Sequence, residues 1–198
     1  MRGFLGVLVA ALTLMAVVAQ GAELAWTGLT VRVYDNAKVP KGALRAALGM
    51  AAQTLRPADV EVTWLSCSAS SGGRCTVPLG RGELMVRLVR SATGSSGDGD
   101  ESLGTALVDP ATGTGVLATV YVDRVEWLAH GSDGDLGTLL GRAMAHEIGH
   151  LLMGRSAHAR HGLMRPLWTS AEVTRNAPAD WGFDAPDVRA IRDRRRKM

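Results

Sequence analysis

Asp135–Met153 reads DLGTLLGRAMAHEIGHLLM, and the architecture is worked out from this stretch. Leu136, Leu139, Leu140, Ala143 and Met144 recur at helical spacing behind Asp135, whose short carboxylate suits an N-cap. At about 100° per residue, His146 and His150 fall roughly 40° apart beside Leu139 and Ala143, so both imidazoles face the interior. Glu147 lies on the adjoining flank. Gly154 follows the last apolar turn and can adopt the left-handed conformation that ends a helix.

The run His146-Glu147-Ile148-Gly149-His150 is an HExxH arrangement. Two imidazoles one helical turn apart can meet a single zinc ion, and the Glu beside the first reaches zinc-activated water without ligating the metal. Zinc lowers the pKa of its water toward about 7, so Glu147 is expected to act as general base toward a carbonyl and to pass the proton to a leaving amine. Catalytic zinc takes three protein ligands. His158, four residues past Gly154, is the favoured third; His161 and then Glu172 are the other candidates.

Outward from this helix, the chain reads as one domain. It has 198 residues, 46% hydrophobic and 21% charged, which excludes a disordered, collagen-like or coiled-coil protein. Upstream, residues 29–35, 60–65, 83–90, 103–108 and 116–122 read as strands, with a helix over 43–52 started by Pro40 and ended near Arg56-Pro57. Residues 91–102 and 109–115 read as loop and turn. The expected fold is α/β of α+β zincin-like kind: a mixed, twisted sheet of about five strands, a crossover helix, an active-site helix and a small C-terminal helical subdomain.

The N-terminus has its own character. Arg2, an apolar run from Phe4 to Ala19, and Gln20-Gly21-Ala22 before Glu23 are laid out as a secretory signal peptide, giving a signal over 1–22 and a single mature domain over 23–198. The apolar run is short for a membrane span of about 20 residues. Export to a secreted or periplasmic location agrees with Cys67 and Cys75, eight apart around a Ser/Gly-rich loop, which are expected to form a disulfide. The tail over 189–197 carries six basic residues against one Asp, read as a solvated helix end and not a nucleic-acid site. Trp26, Trp64, Trp127 and Trp181 are expected in the core, and His130 on the surface. Asp98-Gly99-Asp100-Glu101 lacks the spacing of a known calcium loop and reads as a solvated acidic turn.

These residues resemble a metzincin metalloprotease. The family pattern is HExxH, a Gly, a third His and a Met in a tight turn, matched here by His146, Glu147, His150, Gly154, His158 and Met164. Met164-Arg165-Pro166-Leu167-Trp168 is similar to the matrixin Met-turn. The spacing departs from the family: Gly154 lies four residues and His158 eight residues after His150, which marks a divergent, bacterial-type branch. The resemblance implies Met164 as an apolar floor beneath zinc, Pro166 and Trp168 as a wall of the substrate pocket, and Leu103–Val108 as the edge strand along which a peptide lies. No cysteine switch is expected, because Cys67 and Cys75 lie inside the fold region, and no propeptide, because almost nothing precedes the first strand.

The expectation is a monomeric zinc endopeptidase acting on a peptide or protein substrate, with no nucleic-acid partner and no stable membrane association after signal cleavage. The alternative is a non-catalytic, zinc-stabilised module that binds a peptide or cell-wall partner. A zinc hydrolase acting on a non-peptide amide is a weaker third reading.

Overall fold

The computed structural model describes residues 28–91 and 102–196. Residues 1–22, read from the sequence as a signal peptide, Trp26 and the acidic stretch 98–101 lie outside the described residues. Five strands, β1 (Leu29–Asp35), β2 (Val62–Cys67), β3 (Glu83–Val89), β4 (Gly104–Leu107) and β5 (Leu117–Tyr121), form one sheet in the order β2-β1-β3-β5-β4. β1 runs parallel to β2 and β3, and β3 parallel to β5. β4 is antiparallel to β5 and forms the edge. This is the mixed five-stranded sheet expected from the strand pattern.

Alternation decides which face is covered. Val31, Val33, Val86, Leu88, Ala118 and Val120 point to one side and are buried beneath α1 (Lys41–Leu55) and α3 (Leu136–Met153). α1 is the crossover from β1 to β2, as parallel neighbours require. α3 crosses α1 very closely. A Cβ on Gly137 would stand 2.6 Å from the Ala46 Cβ, and one on Gly141 2.5 Å from the Ala47 carbonyl oxygen, so both positions need a bare backbone. Asp135 caps α3 by accepting from the Thr138 N–H at 2.7 Å.

Among the described residues there are three further α-helices: α2 (Val122–His130), α4 (Ser170–Arg175) and α5 (Ala185–Arg195). α2 corrects the sequence reading, which ended a strand at Val122 and expected no helix between it and Asp135. The helix starts directly on the end of β5, and Tyr121 at its N-cap position makes no side-chain cap, so the usual start signal is missing. Trp127 is a second correction. Val122, Val125, Leu128 and Ala129 form the buried side of α2, whereas Trp127 is 76% exposed. Trp181 is buried and His130 is exposed, as expected, whereas Trp64 is half-buried and packs against the core.

Cys67 and Cys75 form a disulfide. It closes the loop between β2 and β3 over the outer face of the sheet, where buried Arg32 donates to the carbonyls of Val77 (2.7 Å) and Pro78 (3.2 Å). The Tyr34 hydroxyl donates to the Cys75 carbonyl at 2.9 Å. Glu83 receives both Arg32 and Arg74. The Gly80 N–H, then Arg74 and Arg32, hold the Glu83 carboxyl down at about 2. A disulfide suits an oxidising compartment.

Candidate metal centre and cleft

α3 carries His146 and His150 on its buried face and stops at Gly154, which takes the left-handed conformation (φ 64°). The Gly154 N–H bonds the Leu151 carbonyl at 3.3 Å and the Arg155 N–H bonds the His150 carbonyl at 3.2 Å, so the chain reverses within two residues. The returning segment delivers His158 and, further on, the backbone of Leu163.

Both helix histidines are held by carbonyl groups. Nδ1 of His146 lies 2.8 Å from the Leu163 oxygen and Nδ1 of His150 lies 2.9 Å from the Arg155 oxygen. A carbonyl only accepts, so in each ring Nδ1 is the donor and Nε2 is left as a bare lone pair. The two Nε2 atoms stand 3.1 Å apart. Burial, reinforced at His146 by the neighbouring imidazoles, lowers their pKa to about 3 for His146 and about 4 for His150. Two neutral imidazoles therefore aim lone pairs at each other, an arrangement that repels unless a cation sits between them.

His158 closes the set. Its ring centroid lies 5.3 Å from that of His146 and 4.8 Å from that of His150. One nitrogen from each of the three residues falls within a 4.8 Å span. Burial lowers the His158 pKa as well. A neutral three-imidazole set suits zinc, and in His146 and His150 the carbonyl groups on Nδ1 fix the ring orientation. The two other candidates for the third ligand are elsewhere. His161 is exposed and outside the cluster. Glu172 is engaged in a capping box, accepting from the Thr169 N–H at 2.8 Å, and lies 3.1 Å from Arg165 Nε.

Glu147 is 5% exposed, and burial raises its pKa to about 8. Its carboxylate lies against the start of β4. A Cβ on Gly104 would stand 2.7 Å from Glu147 Oε1 and 2.7 Å from the Thr119 carbonyl oxygen, so only glycine leaves this space. Local spacing gave no hint of Gly104, because the contact joins a strand and a helix more than forty residues apart.

Met164 is fully buried beneath α3. A Cβ on Gly149 would come within 3.0 Å of its sulfur and 2.6 Å of Phe183 Cε1, which explains a glycine between the two histidines. Trp168 presents its ring edge-on to His146 at 5.9 Å and to Trp181 at 5.0 Å. Trp181 is stacked by Arg142 at 4.0 Å and by Arg165 at 4.8 Å. Pro166 and Trp168 line, with the three histidines and Glu147, a cleft of about 1190 Å³ running between β4, α2 and the 165–170 segment.

This architecture is similar to a solved structure, the crystal structure of archaemetzincin from Methanopyrus kandleri. The TM-score is 0.58 over 87% of this chain and 98% of that one, at 16% sequence identity. The protein shares the archaemetzincin fold. No protein-family model matches the chain, and no curated protein matches it.

Proposed function

We propose that the protein is an exported zinc-dependent endopeptidase. His146, His150 and His158 would hold the metal and Glu147 would serve as general base. The observation that carries this reading is the convergence of three neutral imidazole nitrogens beside a buried carboxylate in an open cleft. The shared fold with archaemetzincin and the disulfide support it.

When bound, zinc supplies a Lewis acid that polarises the scissile carbonyl and acidifies water. The rest falls to the chain. Leu163 and Arg155 keep the His146 and His150 rings in the tautomer that exposes Nε2. Glu147 takes a proton from water and returns it to the leaving amine. β4, at the sheet edge, offers backbone groups to which an extended peptide adds as a strand. Pro166 and Trp168 form one wall for the side chain after the scissile bond, and Met164 floors the centre.

The test is digestion of a broad peptide mixture by wild type and Glu147→Gln, with zinc measured in both. Cleavage by wild type alone, at about one zinc per chain in each protein, supports an enzyme. Equal behaviour of the two proteins would leave only a zinc-stabilised module.

A further inference from the structure

Among the described residues, five large apolar side chains are exposed, and two of them, Trp127 (76%) and Leu167 (53%), lie on the cleft. They come from opposite elements, Trp127 from α2 and Leu167 from the segment that also carries Trp168. On α2, Trp127 falls roughly 170° from the mean direction of the four buried residues Val122, Val125, Leu128 and Ala129, so folding does not draw it inward. The helix beneath it is fixed. Arg90, just past the end of β3, grips Glu126 with two hydrogen bonds of 2.9 and 3.1 Å, and the Ser91 N–H donates to Asp123 at 2.9 Å. The indole is thus a solvent-facing platform on a pinned helix, and it lines the same cleft as Leu167.

The charged side chains of this part of the cleft are engaged. Asp123 accepts from Ser91, Arg124 donates to the Ser102 carbonyl at 2.7 Å and stacks on Tyr121, and Arg165 donates to the Gly162 carbonyl at 2.7 Å. A charged substrate group would have to compete with these hydrogen bonds for Asp123, Arg124 and Arg165. An apolar one would find an indole face and an isobutyl group held apart in water.

We infer that Trp127 is a specificity-determining residue, which with Leu167 grips a bulky apolar or aromatic side chain of the bound peptide. This rests on the peptidase reading. The substrate class is then an extended peptide that carries a large apolar or aromatic side chain at the position meeting Trp127 and Leu167.

The experiment uses blocked hexapeptides that differ at one position (Ala, Glu, Lys, Leu or Phe), with each position scanned in turn. Cleavage is measured with the zinc-loaded protein, and binding with the zinc-loaded Glu147→Gln protein by tryptophan fluorescence. Trp127→Ala should raise KM for the preferred Phe and Leu peptides roughly fivefold to tenfold, leave kcat and the Ala peptide unchanged, and abolish most of the fluorescence response. Trp127→Phe should recover most of the preference. Because Trp127 is solvent-facing, the thermal midpoint should not move. If wild type cleaves and Trp127→Ala keeps the same ranking of peptides, the inference is overturned and the peptidase reading stands. If no peptide is bound or cleaved by any of the proteins, both fall.

Discussion

A Cβ placed on Gly104 would stand 2.7 Å from Oε1 of Glu147, so the edge strand and the proposed general base share a space that admits no side chain. The other near neighbour is the Thr119 carbonyl at the same 2.7 Å, so a side chain here must shift the edge strand as well as the glutamate. Gly104→Ala should therefore displace the Glu147 carboxylate while leaving the histidines in place. The expected outcome is a loss in kcat on the order of a hundredfold, the scale of a misplacement of about 1 Å, with zinc content unchanged. Metal analysis beside peptide kinetics checks it. Full activity in the variant would show that Glu147 does not need its position against β4.

The three-histidine set makes a prediction about metal. His158→Ala should lose most of its zinc, whereas His161→Ala, altered at an exposed residue outside the cluster, should keep about one zinc per chain. Chelation should lower the thermal midpoint of wild type, since a ligand at a hundred times its Kd stabilises the fold by about 2.7 kcal/mol. The same chelator should hardly move the midpoint of His158→Ala. Elemental analysis with calorimetry decides, and retention of zinc in His158→Ala with loss in His161→Ala would relocate the third ligand.

Acid stability has a separate source. The Glu83 carboxyl is held at about 2 against an ordinary value of 4.5, chiefly by the Gly80 N–H and then by Arg74 and Arg32. A depressed carboxyl stabilises the fold above its unfolded pKa and loses that contribution as pH falls through the folded value. The Glu83 contribution is therefore complete above about pH 5 and disappears between about pH 4.5 and pH 2. Glu83→Gln should lower the thermal midpoint at pH 7 and converge on wild type near pH 2. A constant gap across that range would mean that Glu83 acts through packing and not charge.

Much of this fold was legible in the sequence, for a physical reason. β1, β3 and β5 bury one face, so their alternation is written in Val31, Val33, Val86, Leu88, Ala118 and Val120. α3 declares itself through a capping Asp135, a continuous apolar stripe and a terminal Gly154. α2 did not, because it takes over from β5 without a capping side chain and its apolar residues begin as a continuation of the strand. Trp127 was assigned to the core by residue type, and only the phase of α2 shows that it faces water. At the metal centre, the HExxH spacing is local and readable. The carbonyl groups of Leu163 and Arg155, the space left by Gly104 and the stack of Arg142 and Arg165 on Trp181 come from segments joined only by folding.

The disulfide gives the last prediction. Cys67 and Cys75 close a loop whose other anchors are polar: Arg32 on the carbonyls of Val77 and Pro78, and Tyr34 on that of Cys75. Those anchors come from β1, so the loop keeps native contacts after the sulfur link is cut. A link across a loop this short stabilises a fold by about 2–3 kcal/mol, mainly through the unfolded chain. The paired substitution Cys67→Ser with Cys75→Ser should therefore fold, with a thermal midpoint lower by roughly 5–10 °C. Zinc content and peptide cleavage at 25 °C should match wild type, because the loop lies on the outer face of the sheet and α3 on the other. Thermal unfolding with and without reductant provides the measurement. A loss of zinc in the folded double variant would overturn the idea that this loop is energetically separate from the metal centre.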